Sequence, residues 1–231
     1  MTAPNDTHAE RHVVITGGTG ALGTAVVARM QREGARCHVT YVDDAELARF
    51  AHRDAAVMHK VDCGSEREVA AFYASLPSLH ASIHLVGGFD MSPIATTSLA
   101  AFERMFRLNA VTAFLCCREA IARMRPGGGR IVNVAARPAL EPNAGMAAYA
   151  TSKSAVAALT RLLACEVLAD GILVNAVVPS TMDTPANRRA MPDADFDRWP
   201  KVEQVAETIA FLAGPGNALT SGTLVPVYGR A

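Results

Sequence analysis

Apolar residues along this chain follow two alternating patterns. Short β-branched runs with the look of buried strands stand at His12–Thr16, 37–41, 56–61, 82–86, 130–134, 172–178 and Leu224–Val227. Between them, apolar residues recur at helical spacing over 21–33, 44–50, 66–76, 99–124, 145–168 and 202–212. Local signals agree with these limits. Asp43 and Asp44 can cap the second helix, Ser65 with Glu68 makes a capping box for the third, and Pro126 with the glycines after it stops the long fourth one. Strand and helix alternate with no repeat and no linker, which predicts one α/β domain over 12–231. Its architecture would be a Rossmann-type doubly wound parallel sheet of about seven strands with helices on both faces. Ligands then lie along the carboxyl ends of the strands. Residues 1–11 are polar and read as a disordered leader.

Composition narrows the function. A 231-residue chain with 50% hydrophobic residues can fill one substantial core. Its 22 basic and 22 acidic residues balance, so charge recommends neither nucleic acid nor an anionic membrane as partner. A small-molecule substrate is expected. Five cysteines without a C-x-x-C pair fit buried thiols in a reducing compartment, and the seven histidines show no metal-ligand spacing. No apolar stretch resembles a signal peptide or a membrane span, so the expected location is the cytoplasm.

Between the first strand and the first helix stands Thr16-Gly17-Gly18-Thr19-Gly20-Ala21-Leu22-Gly23. Glycines there allow positive φ and a close approach of backbone to a pyrophosphate, whose charge sits against the free N–H groups of the helix N-terminus. Strand, glycine turn, helix and a second strand make this a candidate dinucleotide site rather than a mere turn. Gly87 and Gly88, after the fourth strand, are a second place where backbone can approach a ligand. Further along, Tyr149 and Lys153 stand one helical turn apart. An ammonium there favours phenolate over phenol and would bring the tyrosine pKa toward the working range of a general acid.

With these motifs the chain resembles the short-chain dehydrogenase/reductase family from about residue 12 to 227. The resemblance rests on the 16–23 loop, Asp62, Asn109, Tyr149 with Lys153, and Pro179 followed by Asp183-Thr184-Pro185. It implies that Tyr149 exchanges the proton with substrate. Lys153 would lower the tyrosine pKa and hold the nicotinamide ribose, and Asn109 would hold a water of the proton relay. Gly17, Thr19, Gly20, Ala21, Leu22 and Gly23 would cradle the pyrophosphate, Asp62 would meet the adenine, and Thr184, after Pro179, the nicotinamide amide. Gly87, Gly88 and Tyr41 complete the expected cofactor contacts. The family also implies a homodimer or homotetramer built through the two long helices.

Three departures matter. Ala21 stands where the family has its second loop glycine, Leu85-Val86-Gly87-Gly88 replaces an N-N-A-G motif, and Ala136 occupies the position of the catalytic serine. An alanine cannot hydrogen-bond a carbonyl oxygen. The loop sequence, the Val86–Phe89 turn and especially 182–199 resemble the quinoid dihydropteridine reductase branch, which works without that serine. The resemblance therefore implies hydride transfer to an activated quinonoid or conjugated-imine substrate. Two alternatives stay open: a ketoreductase or alcohol dehydrogenase in which Thr181 or Ser180 replaces the serine, and a dinucleotide-binding regulatory or scaffold protein without catalysis. The cofactor is NAD(H) or NADP(H). Tyr41, Val42, Asp43 and Asp44 offer a 2′-phosphate no cation, which leans toward NAD(H). The polar, proline-containing 180–200 segment, with Met182, Met191, Phe196 and Trp199, reads as a lid over the site or as a loop stapled to the domain.

Overall fold

Val13, Val14 and Ile15 are apolar at consecutive positions, and a strand of that kind can only be satisfied with both faces covered. The computed structural model, which describes residues 11–231, places them in β1 (His12–Thr16) at the inside of a seven-stranded parallel sheet, each essentially without solvent exposure. The other strands are β2 (Arg36–Tyr41), β3 (Val57–Lys60), β4 (Ala81–His84), β5 (Gly129–Val134), β6 (Ile172–Pro179) and β7 (Leu224–Val227), in the order β3-β2-β1-β4-β5-β6-β7. β6 is buried along its whole length. Strand order reverses between β1 and β4, and in a doubly wound sheet the crevice at that switch point is the ligand site.

The eight α-helices among the described residues are α1 (Ala21–Arg32), α2 (Asp44–Arg49), α3 (Glu66–Ser75), α4 (Leu99–Phe106), α5 (Thr112–Met124), α6 (Ala147–Glu166), α7 (Pro185–Ala190) and α8 (Val202–Ala213). Two apolar layers sandwich the sheet. On one face Val26, Val27 and Met30 of α1 and Ile209 and Leu212 of α8 pack on Val13, Ile15 and Val39; on the other Phe72, Tyr73, Leu115, Ile121 and Met124 pack on Val14, Ile131 and Val174. Asp43 and Ser65 cap α2 and α3 as their side-chain chemistry requires.

The expected elements are present with ends shifted by a residue or two, and three expectations change. Residues 99–124 are not one regular helix: a π-helical turn, Arg107–Val111, separates α4 from α5 and carries Asn109. Such turns mark functional sites often enough to draw the eye to that residue. Cys165 is exposed, whereas Cys37, Cys63, Cys116 and Cys117 are buried. Of the expected leader, residues 1–10 lie outside the described residues; Arg11 belongs to the fold, its carbonyl accepting the Arg36 N–H at 3.0 Å. No helix among the described residues is long and apolar enough to cross a membrane, and no group of three or more His, Cys, Asp or Glu there is placed to hold a metal ion.

Histidines form two polar features in the core. His12 Nδ1 meets His38 Nε2 at 2.8 Å, and His38 Nδ1 meets His59 Nε2 at 3.1 Å, a row across three adjacent strands. His84 bonds Ser82 and Asn133, both at 2.8 Å, in a fully buried network. Burial pushes both His38 and His84 down to about 4, with His59 and His12 adding charge repulsion at His38. A folded-state pKa below the unfolded one means the unfolded chain binds more protons in between. Stability from these groups is therefore complete above about pH 6.5 and is lost as pH falls toward 4. His84 alone accounts for about 3 kcal/mol of that slope. Urea midpoints should drop steeply between pH 6.5 and 4, and His84→Gln should flatten the profile; an unchanged slope in the variant would remove His84 as its cause.

Candidate active site

The loop between β1 and α1 is shaped by contacts that only glycine permits. Gly17 adopts φ +64°, and its N–H donates to Thr40 Oγ1 at 3.2 Å. A Cβ on Gly18 would stand 2.6 Å from Val39 Cγ1, and one on Gly23 would stand 2.5 Å from Gly18 Cα, so these two let α1 close down on the sheet. Gly20 is different. A Cβ there would meet only the Gly17 carbonyl, at 3.5 Å, and otherwise open space. Gly20 caps α1 with no side-chain hydrogen bond and the first turn carries no acidic residue, which leaves the N–H groups of the helix end for an anion.

In front of this loop lies a cavity of about 630 Å³, lined by Gly17, Thr19, Gly20, Tyr41, Asp62 and Gly87 among others. The combination of uncapped N–H groups, an open glycine face and a deep cleft at the switch point fits a dinucleotide. Asp62, Tyr41 and Gly87 share this cavity with the glycine loop. Ala21, Leu22, Gly23, Gly88, Pro179 and Thr184 are not among its lining residues. Leu22 and Gly23 are buried in α1, and Pro179 ends β6.

At the end of β2 one of the two acidic residues caps the helix as expected, and the other is taken up by a lysine. Asp43 caps α2, accepting from the Ala45 N–H at 2.7 Å, and Asp44 pairs with Lys60 at 2.5 Å. Neither lines the cavity. Glu46 does, alongside Asp62, and accepts from Thr19 Oγ1 at 2.9 Å. It escaped sequence reasoning because it lies about one helical turn past the strand end, and because the pairing of Asp44 with Lys60, 16 residues on, leaves no local signal. Thr40, Cys63, Arg104, Arg107, Leu108 and Thr112 also line the cavity without having been expected. The two arginines belong to α4 and the π-turn, far from the glycine loop in sequence.

The other end of the site is built on α6. Lys153 is buried, and its ammonium donates to the Val134 carbonyl at 2.8 Å, leaving two further N–H donors. A Cβ on Gly87 would stand 3.2 Å from Lys153 Nζ and 2.6 Å from Asn109 Oδ1, so Gly87 joins the cavity to this end. Asn109 accepts from the Gly88 N–H at 3.0 Å and donates to the Gly88 carbonyl at 3.1 Å and to Ser152 Oγ at 3.0 Å. Ser152 in turn donates to the Tyr149 carbonyl at 2.7 Å. The Asn109 amide is thus a brace from the π-turn to Gly88 and the first turns of α6.

Tyr149 stacks edge-on against Phe89, with ring centroids 5.0 Å apart. Burial pushes its phenol up to about 12 and the Lys153 ammonium down to about 8. In the free protein the tyrosine is thus raised by desolvation and not lowered as expected. Both shifts have the same cause, since a low-dielectric site disfavours either charge. Ala136 is buried at the position of the missing serine. Ser180, one candidate substitute, donates to the Tyr228 carbonyl at 2.8 Å. Thr184 is buried and caps α7 by accepting from the Asn187 N–H at 3.1 Å.

Both ends of the 180–200 segment are fastened. Asp183 pairs with Arg188 at 2.6 Å and Lys201 at 2.5 Å, which holds its carboxyl far below the usual range. Trp199 is buried and packs on Phe196, with centroids 5.0 Å apart. The middle is exposed, for α7 buries none of its residues and Met191 is exposed, yet Asn187 of α7 donates to the Met182 carbonyl at 2.8 Å and Arg188 lies over the Phe196 ring.

Comparison with known proteins places this arrangement. The family model described as short chain dehydrogenase matches residues 11–195. A cis-4-hydroxycyclohexanecarboxylate dehydrogenase of Sinomonas cyclohexanicum is 32% identical, with 96% of each chain covered. A short-chain type dehydrogenase/reductase of Picea abies is 29% identical over 95% of this chain and 91% of that one. Among solved structures, a short-chain type dehydrogenase/reductase from Mycobacterium ulcerans superposes with a TM-score of 0.90 at 25% identity, covering 97% of this chain and 90% of the other. The chain belongs to the short-chain dehydrogenase/reductase family and is an NAD(P)-dependent oxidoreductase.

Proposed function

We propose that the protein reduces an activated, electron-poor conjugated substrate, a quinonoid or conjugated imine of the dihydropteridine type, with Tyr149 as general acid. The observation that carries this reading is Ala136, buried where a carbonyl-polarising hydroxyl would be needed. A conjugated imine or quinonoid ring takes up a hydride without that help, because its own π-system accommodates the charge. The resemblance of 182–199 to the quinoid dihydropteridine reductase branch supports the same class. So does Phe89, an exposed ring set edge-on against Tyr149, which offers apolar surface to a flat ligand.

When bound, the nicotinamide supplies the hydride. Gly17, Thr19 and Gly20 would hold the pyrophosphate of the dinucleotide, Asp62 and Tyr41 its adenosine end, and Lys153 a ribose hydroxyl. Thr184, with one hydroxyl proton still available beside its capping bond, meets the carboxamide. Tyr149, protonated throughout the physiological range in the free protein, donates its proton as negative charge develops on the substrate, and the Lys153 cation stabilises the phenolate left behind. Asn109 positions rather than transfers: its side chain is committed to Gly88 and Ser152. Glu46 beside Thr19 would repel a 2′-phosphate and accept from ribose hydroxyls, so the cofactor preference is for NAD(H).

The second reading, oxidoreduction at an ordinary alcohol or ketone, draws on the relative named for a hydroxycyclohexane substrate. It needs a donor in place of the serine, and with Ser180 bonded to Tyr228 that role falls to Thr181. NADH oxidation against quinonoid dihydropterin, quinone and ketone panels separates the readings. The wild type should turn over the first two. Ala136→Ser should raise ketone reduction while leaving quinonoid reduction unchanged; robust ketone turnover by the wild type would reverse the assignment.

A homodimer or homotetramer is also proposed. Leu99, Phe106 and Phe114 on α4 and α5 and Leu162 on α6 are exposed, an apolar cost that pairing of these helices would relieve. Sedimentation should give a multiple of 24.4 kDa, and a monomer mass independent of concentration would refute it.

A further inference from the structure

The floor of the cavity carries chemistry that reduction does not use. Cys63, directly after Asp62, lines the cavity, with its sulfur 3.6 Å from the Thr40 hydroxyl. Thr112 of α5 lines it as well, and Cys116 lies one turn further along the same helix face. Cys116 and Cys63 are neighbours in the apolar layer beneath the sheet. No other cysteine is placed to compete. Cys117 turns to His84 and Asn133, at 3.5 and 3.4 Å, Cys37 sits in the opposite layer, and Cys165 is exposed. The pair is also asymmetric. The neighbouring Cys116 thiol, and after it the Thr40 hydroxyl, hold the Cys63 thiol below its ordinary value against the effect of burial. Cys116 is raised well above, by the neighbouring Cys63 thiol and by burial.

We propose that Cys63 and Cys116 form a reversible redox dithiol under the adenosine end of the cofactor cavity, with Cys63 as the attacking thiol and Cys116 as the resolving one. The Cys63 thiolate attacks the outer oxygen of a hydroperoxide, the O–O bond breaks, and the leaving oxygen takes a proton to depart as water or alcohol. Cys63 is now a sulfenic acid. The Cys116 sulfur, giving up its proton, then attacks the Cys63 sulfur; the S–S bond forms, the S–O bond breaks, and water leaves. Two thiols lose two electrons and the peroxide gains them.

The geometry couples this step to cofactor. Cys63 is almost fully buried and lines the cavity, which a bound dinucleotide would cover. Closing an S–S bond of about 2.05 Å draws the 62–64 turn toward α5. Asp62 moves with it, because its carboxylate holds the Gly64 N–H at 2.8 Å. The oxidised protein therefore binds dinucleotide poorly, and the loaded protein resists oxidation. This coupling, though not the dithiol itself, rests on the cavity being the cofactor seat.

The test uses the full chain, free of cofactor, treated with hydrogen peroxide and mapped by mass spectrometry without reduction. A Cys63–Cys116 cross-linked peptide is expected, lost on treatment with dithiothreitol. Cys116→Ser should give no cross-link but a sulfenic acid at Cys63 that dimedone traps. NADH at saturation should slow the cross-link, and oxidation should weaken NADH binding reversibly, each by about tenfold or more. Absence of the cross-link, or its appearance only through Cys117 or Cys165, overturns the dithiol. A cross-link indifferent to NADH, in a protein whose reduced form binds NADH, overturns the coupling. Failure of the reduced protein to bind either dinucleotide refutes the cofactor seat instead, and the cross-link still judges the thiol pair.

Discussion

Tyr149→Phe should bring turnover down by roughly 10²- to 10⁴-fold, the usual worth of a positioned general acid, while dinucleotide affinity stays close to that of the wild type. The phenyl ring keeps its edge contact with Phe89, at a centroid distance of 5.0 Å, so the loss is of the proton and not of the shape. Lys153 governs the pH profile of the same step. Its ammonium is pushed down to about 8, so the cation beside the developing phenolate is present below that pH and vanishes above it. The rate of reduction at saturating cofactor should therefore fall as pH rises through about 8. The tyrosine does not contribute to that limb, its own pKa lying near 12. Near-normal turnover in the Phe variant, measured with NADH and a quinonoid acceptor, would remove Tyr149 from the proton-donating role.

Much of the frame was legible because its signals are local. Val13, Val14 and Ile15 announce a strand buried on both faces, Ser65 and Glu68 announce a helix start, and Tyr149 with Lys153 sit four apart on one helix. What escaped depended on contacts between distant segments. Nothing near Asn109 in sequence says that its amide will clamp Gly88 and Ser152, yet that clamp goes with a π-turn where a continuous helix was expected. Likewise Asp43 and Asp44 were the obvious carboxylates after β2, and only Lys60 on β3 and the cap of α2 show that they are occupied. Glu46 then inherits the cavity. The tyrosine pKa failed for a different reason: spacing identifies the cation but not the desolvation that opposes it.

The glycine loop yields a pair of substitutions with opposite signatures. Gly23→Ala would put a methyl carbon 2.5 Å from Gly18 Cα and 2.6 Å from its carbonyl atoms, all of them backbone that cannot turn aside. α1 must lift off the sheet or the loop must deform. Overpacking of this kind costs about 1–3 kcal/mol, which in a chain of this size lowers Tm by several degrees. Cofactor binding falls with it, because the N–H groups of α1 lose their aim. Gly20→Ala should do the reverse. Its φ of −71° suits any residue, and the new methyl touches only the Gly17 carbonyl at 3.5 Å, so the fold tolerates it at a cost of about 1 kcal/mol or less for the changed helix cap. The methyl instead occupies the space where backbone and pyrophosphate meet, and dinucleotide affinity should drop by about tenfold or more. Thermal melts paired with NADH titrations separate the two effects. Gly20→Ala with unimpaired NADH binding would mean that the pyrophosphate does not lie on this loop, while a Gly23→Ala protein as stable as the wild type would mean that α1 does not rest on Gly18.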